Sequence, residues 1–203
     1  MDLNWILYIL LGYLLGSLPF ALIIGKVFYK TDVRNFGSGN LGGTNAGRVL
    51  GKKAGIAVIA CDVLKVVVAV GIVAYFNKEA SIWAGFAAAL GHCYPIFAGF
   101  RGGKAVATMF GFLLSTSIFT FQSAWYIVLP FIFFMVTLYL SKMVSLSSMV
   151  AAVVSSIYIT YMQFNTGMEM IIASWLLTIL VIYRHRANIV KIKNGTENKI
   201  SWL

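Results

Sequence analysis

Two stretches of the chain mix glycine, hydroxyl and amide residues with cations: FGSGNLGGTNAGRVLGKKAG (36–55) and GHCYPIFAGFRGGKAVAT (91–108). Glycine removes the side chain that would keep a ligand away from backbone N–H groups. Arginine or lysine beside such amides points to an anion: a lipid headgroup, a nucleic acid or a bound phosphate. Ser38, Gly39, Asn40, Thr44, Asn45 and Arg48 are the candidates in the first stretch. His92, Gly102, Gly103, Lys104 and Thr108 are those in the second. The GxxxxGK[ST] spacing of a P-loop is absent, so the likeness to one is physical only. Two more polar stretches follow: SKMVSLSSM (141–149), with Ser145, and YRHRANIVKIKNGTENKI (183–200), with His185, Asn188 and Glu197.

Several chemistries are disfavoured by spacing. A His-x4-Asp acyltransferase dyad is absent, because Phe97 and Val190 stand where the aspartate would follow His92 and His185. Two histidines and one nearby cysteine make a poor zinc set, so neither a metal nor a cofactor is expected. The polar loops are too short for a nucleic-acid surface. Cys61 and Cys93 lie in or beside apolar segments and read as packing residues.

The elements that position these residues are mostly apolar. The 203 residues are 60% hydrophobic and 11% charged, with mean hydropathy +0.87. Soluble domains average about 45–50% and about 25%. The composition implies an all-α integral membrane protein forming a single domain over residues 1–203. Seven transmembrane helices are expected at Trp5–Ile24, Ile56–Phe76, Ile82–Phe97, Ala105–Phe121, Trp125–Leu140, Leu146–Met162 and Gly167–Tyr183. The short glycine-rich or re-entrant loops between them would carry the chemistry. Gly12 and Gly16 have GxxxG spacing, which permits close helix approach but is common in membrane helices. Asp62 and Lys65, at i,i+3 inside the second span, read first as a neutralising structural pair.

Basic residues set the orientation. With seven spans, Lys26, Lys30, Arg34, Arg48, Lys52, Lys53, Arg101, Lys104, Lys142, Arg184, Arg186, Lys191, Lys193 and Lys199 fall on one side; the other loops hold only Lys78. That side should be cytoplasmic, which puts the N-terminus outside and the C-terminus inside. The unusual polar residues share the basic side, so the active site is expected there too.

Together the blocks GSGNLGGTNAGRVLG, GHCYPIFAGFRGGKAVAT, MVSLSS and RHRANIVKIKNGTENKI resemble the bacterial acyl-phosphate:glycerol-3-phosphate acyltransferase (PlsY) family, in order along nearly the whole chain. The resemblance implies a seven-span enzyme of the bacterial cytoplasmic membrane. It would move a fatty acyl group from acyl phosphate to glycerol 3-phosphate, giving lysophosphatidic acid and phosphate. Membrane lipids are its surroundings, and hand-off from the enzyme that makes acyl phosphate is expected. The family usually has GATN, FKGGKGVAT and D-x-x-K-G. This chain has Gly43 before Thr44, Arg101 and Ala105 around Gly102–Lys104, and Val66 after Lys65.

Both substrates carry phosphate, so the site must hold two anions together. Arg48 and Lys104 are the expected clamps, with Ser38, Thr44, Asn45 and Ser145 as hydrogen-bond partners. His92, His185 and Asn188 are expected to position substrates, and Glu197 to contribute to binding. The proton of the attacking hydroxyl can go to His92, His185, Glu197 or the donor phosphate; the last is favoured. A transporter of an organic phosphate, a non-enzymatic scaffold and an acyltransferase with a different acceptor are the alternatives.

Overall fold

The computed structural model describes residues 3–200. Met1, Asp2 and Ser201–Leu203, and with them both chain ends, lie outside the described residues. The described elements are helical: α1 Leu3–Gly16, α2 Phe20–Tyr29, α3 Gly43–Leu50, α4 Lys52–Phe76, α5 Lys78–Cys93, α6 Val106–Ser115, α7 Trp125–Ser141, α8 Val144–Gln163, α9 Met168–Arg184 and α10 Arg186–Lys193. Each apolar run read from the sequence has a helical counterpart. By length and composition, Leu3–Tyr29, Lys52–Phe76 and Val144–Gln163 suffice to cross a membrane. The α9–α10 pair, bent by 57°, makes a fourth if counted as one span, and Val106–Thr120 and Trp125–Ser141 are shorter apolar helices.

The first expected span is broken. Pro19 supplies no N–H and disfavours helix at the residue before it. Accordingly α1 stops at Gly16 and α2 restarts at Phe20. The fourth expected span also changes character near its end, where Thr116–Thr120 widen into a π turn. Ser115, Thr116 and Ser117 donate their hydroxyls to the carbonyls of Gly111, Phe112 and Leu113. Such back-bonding competes with the regular helical ladder.

Gly12 and Gly16 do more than the bland reading allows. Both are buried, and a Cβ on either would collide with the backbone of Ala84 or Ala88. They let α1 lie directly on α5. The main core gathers Val66, Val70, Met109, Phe112, Ile159 and Val181 from α4, α6, α8 and α9. A smaller one joins Leu22, Val33, Leu41, Ala46 and Val58 under the first polar loop. Outward faces remain apolar, with Leu7, Leu64, Phe131 and Tyr161 all exposed. Such a surface suits hydrocarbon rather than water.

Ala105 bears directly on the second polar loop. It is fully buried and holds φ +60°, ψ +12° just before α6. A left-handed backbone costs an L-residue with a Cβ roughly 1–2 kcal/mol. Ala105→Gly is therefore expected to stabilise the fold by about 1 kcal/mol, read as a higher melting temperature in detergent. A lower one would show that Cβ packing outweighs the strain.

Candidate active site

Four groups from distant parts of the chain meet at one end of the bundle. The Lys104 ammonium donates to Asn188 Oδ1 at 2.6 Å. Asn188 Nδ2 donates to Glu197 Oε1 at 2.8 Å, and Ser145 Oγ donates to the same oxygen at 2.9 Å. Lys104 precedes α6, Ser145 opens α8, Asn188 lies on α10, and Glu197 is in the tail beyond it. Ile200 N–H donates to Lys142 O at 2.9 Å, strapping the tail to the α7–α8 joint. Burial lowers the Lys104 pKa, helped by the neighbouring charges of Lys191, Arg184 and Arg48, while Glu197 opposes the shift. Arg48 is exposed in the last turn of α3.

His185 is buried at the α9–α10 bend. Its Nδ1 lies 2.8 Å from Val181 O. A carbonyl only accepts, so Nδ1 carries the hydrogen and Nε2 is left as an acceptor. Burial pushes this imidazole down to about 4, so it is neutral near pH 7.

The Gly102–Gly103 loop is gripped from two sides. Gly103 N–H donates to His92 O at 2.9 Å. Arg184 donates from Nε to Gly103 O at 3.0 Å and from Nη2 to Gly102 O at 3.1 Å. Its guanidinium also lies over the Tyr94 ring, 5.1 Å from the centroid. A Cβ at Gly102 would strike His92 O, and one at Gly103 the His92 ring. These glycines permit close approach to His92, and the Gly103 amide is already spent. The Gly103 amide is therefore engaged within the protein rather than free for a ligand.

Asn45 is likewise engaged within the protein. It is buried and donates Nδ2 to Val33 O at 3.0 Å and to Phe36 O at 3.2 Å. Its Oδ1 accepts Ser38 N–H at 2.8 Å. Both ends of the amide are committed to shaping the loop. Thr108 is fully buried and its hydroxyl has no partner, so it faces the interior rather than the polar cleft. Ser38 and Thr44 are exposed, and Gly39 and Asn40 are half-buried beside them. Asp32 is occupied by Arg34, whose hydrogen bonds hold its carboxyl down to about 2.

Arg184 is the residue missed as a site member, having been counted only as a topological charge. Its place immediately before His185 was the available signal. Asp62 and Lys65 form the expected pair at 2.7 Å, but Lys65 reaches further, to His92 Nδ1 at 3.1 Å.

A family model described as Glycerol-3-phosphate acyltransferase matches residues 6–195. The chain belongs to the glycerol-3-phosphate acyltransferase family. A relative with that description from Listeria monocytogenes serotype 4a is 47% identical, with both chains fully covered. Glycerol-3-phosphate acyltransferase 3 of Bacillus anthracis is 50% identical over 97% of this chain and 95% of its own. Among solved structures, PlsY (YgiH), an integral membrane glycerol 3-phosphate acyltransferase, superposes in its glycerol 3-phosphate form with a TM-score of 0.88. It is 31% identical over 98% of this chain and 96% of that one. Its lysophosphatidic acid form gives 0.84 at 30% identity, with the same coverage. This member of the glycerol-3-phosphate acyltransferase family is an all-helical, multi-pass integral membrane protein. Membership in an acyltransferase family favours the enzyme reading over a transporter or scaffold.

Proposed function

We propose that this protein transfers a fatty acyl group from acyl phosphate to glycerol 3-phosphate, forming lysophosphatidic acid and inorganic phosphate. The supporting observation is the Lys104–Asn188–Glu197–Ser145 chain at the basic end of the bundle. It joins a cation through an amide to a carboxylate and a hydroxyl, and Arg48 is the cation assigned to the second phosphate.

In this reading the protein is a single seven-span domain in the bacterial cytoplasmic membrane, with its N-terminus outside and its site in the cytoplasm. Lys104 and Arg48 hold the two phosphates. Ser38, Gly39, Asn40 and Thr44 border the Arg48 side. Asn188 and the free Nε2 of His185 orient the glycerol hydroxyl. That oxygen attacks the acyl carbonyl; the new C–O bond forms as the carbonyl–phosphate C–O bond breaks. The hydroxyl proton passes to the departing phosphate. An acyl phosphate is an activated anhydride, so orientation and charge stabilisation are the enzyme's main contributions. The acyl chain stays in the bilayer.

The test is a donor comparison with purified protein and glycerol 3-phosphate. Acyl phosphate is expected to support turnover and acyl-CoA to give none. Equal rates with both would overturn the donor assignment, and no product from either would overturn the reaction.

A further inference from the structure

We propose that Asp62 and Lys65 are positioning residues that lock His92 in one tautomer, so that its Nε2–H serves as a hydrogen-bond donor to phosphate at the Gly102–Lys104 loop. The assignment of that ligand rests on the function proposed above; the tautomer does not.

The argument begins with hydrogens. An ammonium has three N–H groups and accepts nothing. Lys65 Nζ has three partners: Asp62 Oδ1 in an ion pair at 2.7 Å, and Leu18 O at 3.0 Å and His92 Nδ1 at 3.1 Å by hydrogen bonds; Asp62 Oδ1 itself lies 3.5 Å from His92 Nδ1, farther than the ammonium. They come from α4, from the α1–α2 break and from α5. The Asp62 and Lys65 side chains are each 2% exposed, so the carboxylate and ammonium neutralise one another away from water. A cationic imidazole would put a second positive charge on a carboxylate already paired with Lys65, and would set an Nδ1–H 3.1 Å from the ammonium. Neutral His92 with a bare Nδ1 satisfies the geometry, and the hydrogen is then on Nε2.

Nε2 is turned toward Gly103, where only the absence of a Cβ makes room for the ring. The ring therefore borders the loop that carries Lys104. Among the described residues Nε2 has no hydrogen-bond partner, and it is not one of the sealed partnerless atoms of the interior. His185 is fixed the opposite way, with Nδ1 donating and Nε2 accepting. The two histidines thus present one donor and one acceptor. A phosphate needs the first and a hydroxyl proton the second.

Histidine labelled with 15N reads this directly in full-length protein, in detergent or nanodiscs. Only His92 and His185 contribute, and a His185→Gln sample assigns them. The wild type is expected to show His92 neutral and protonated at Nε2. Inorganic phosphate or glycerol 3-phosphate should shift Nε2 far more than Nδ1. A His92 found cationic or protonated at Nδ1 would overturn the tautomer lock; a phosphate-insensitive Nε2 would overturn the donor role.

The paired variant Asp62→Asn with Lys65→Met leaves no lone buried charge. It is expected to mix the His92 tautomers and lower kcat/KM about 10–100-fold. Wild-type kinetics with mixed tautomers, or lost activity with an unchanged tautomer, would each refute the link. If the paired variant does not fold, the wild-type spectra still decide. Success of the donor assay with failure of the spectra would leave the reaction standing and remove only this inference.

Discussion

Lys104→Met is expected to lower kcat/KM for acylation of glycerol 3-phosphate about 10²–10³-fold, the range seen when one preorganised charge-stabilising donor is removed. Lys104 contacts Asn188 through a single hydrogen bond and is half-buried, so the fold should survive. A loss in KM alone would mark ground-state phosphate binding, and a loss in kcat a contact that tightens in the transition state. The same residue predicts a pH dependence. Its pKa lies below that of a free lysine because burial penalises the charge. The cation is therefore present at low pH and is lost as pH rises through the lowered value. KM for glycerol 3-phosphate should climb on the alkaline side in the wild type, and Lys104→Arg should flatten that limb. A Lys104→Met enzyme within a factor of two of wild type would return Lys104 to a purely topological role.

Ser145→Ala carries the second large effect. A hydrogen bond to a charged partner contributes about 1.5–3 kcal/mol, so a loss of about 10–100-fold is expected. The loss should not come from a missing covalent step. Ser145 Oγ donates to Glu197 Oε1, and that oxygen also accepts from Asn188. Among the described residues Ser145 Oγ bonds this carboxylate and no imidazole. A serine nucleophile needs an effective base beside it. Rapid quench of radiolabelled acyl phosphate without glycerol 3-phosphate, followed by denaturing electrophoresis, should leave the protein unlabelled. Stoichiometric label that is absent in Ser145→Ala and chased into product by acceptor would establish an acyl-enzyme instead.

The helices were legible because apolar runs of membrane length have few other solutions. Their interruptions were less so. Pro19 sits inside an unbroken apolar stretch, where hydropathy outvotes one missing N–H. The widening at Thr116–Thr120 depends on where three hydroxyls turn, which composition does not encode. Within the site, residue type announced an anion but not which atoms were free to meet it. Asn45 looks like a ligand contact in sequence, yet it bonds the backbone of its own loop. Gly102 and Gly103 look like open amides, yet their missing Cβ atoms admit His92. Arg184 was hidden by its charge, because any basic residue on that side satisfies the orientation rule. In each case a partner distant in the chain decides the role.

The strapped tail has a consequence for biosynthesis. Glu197 follows every other member of the polar network along the chain, and Ile200 fastens that segment to Lys142 only after it has emerged. A ribosome-bound nascent chain can insert all its apolar helices and still lack the carboxylate that joins Ser145 to Asn188. Emergence of the segment from Glu197 to Ile200 thus becomes the event that assembles the network. Truncated products stalled in the membrane would carry helices without it, and would be inert bystanders rather than unregulated enzymes.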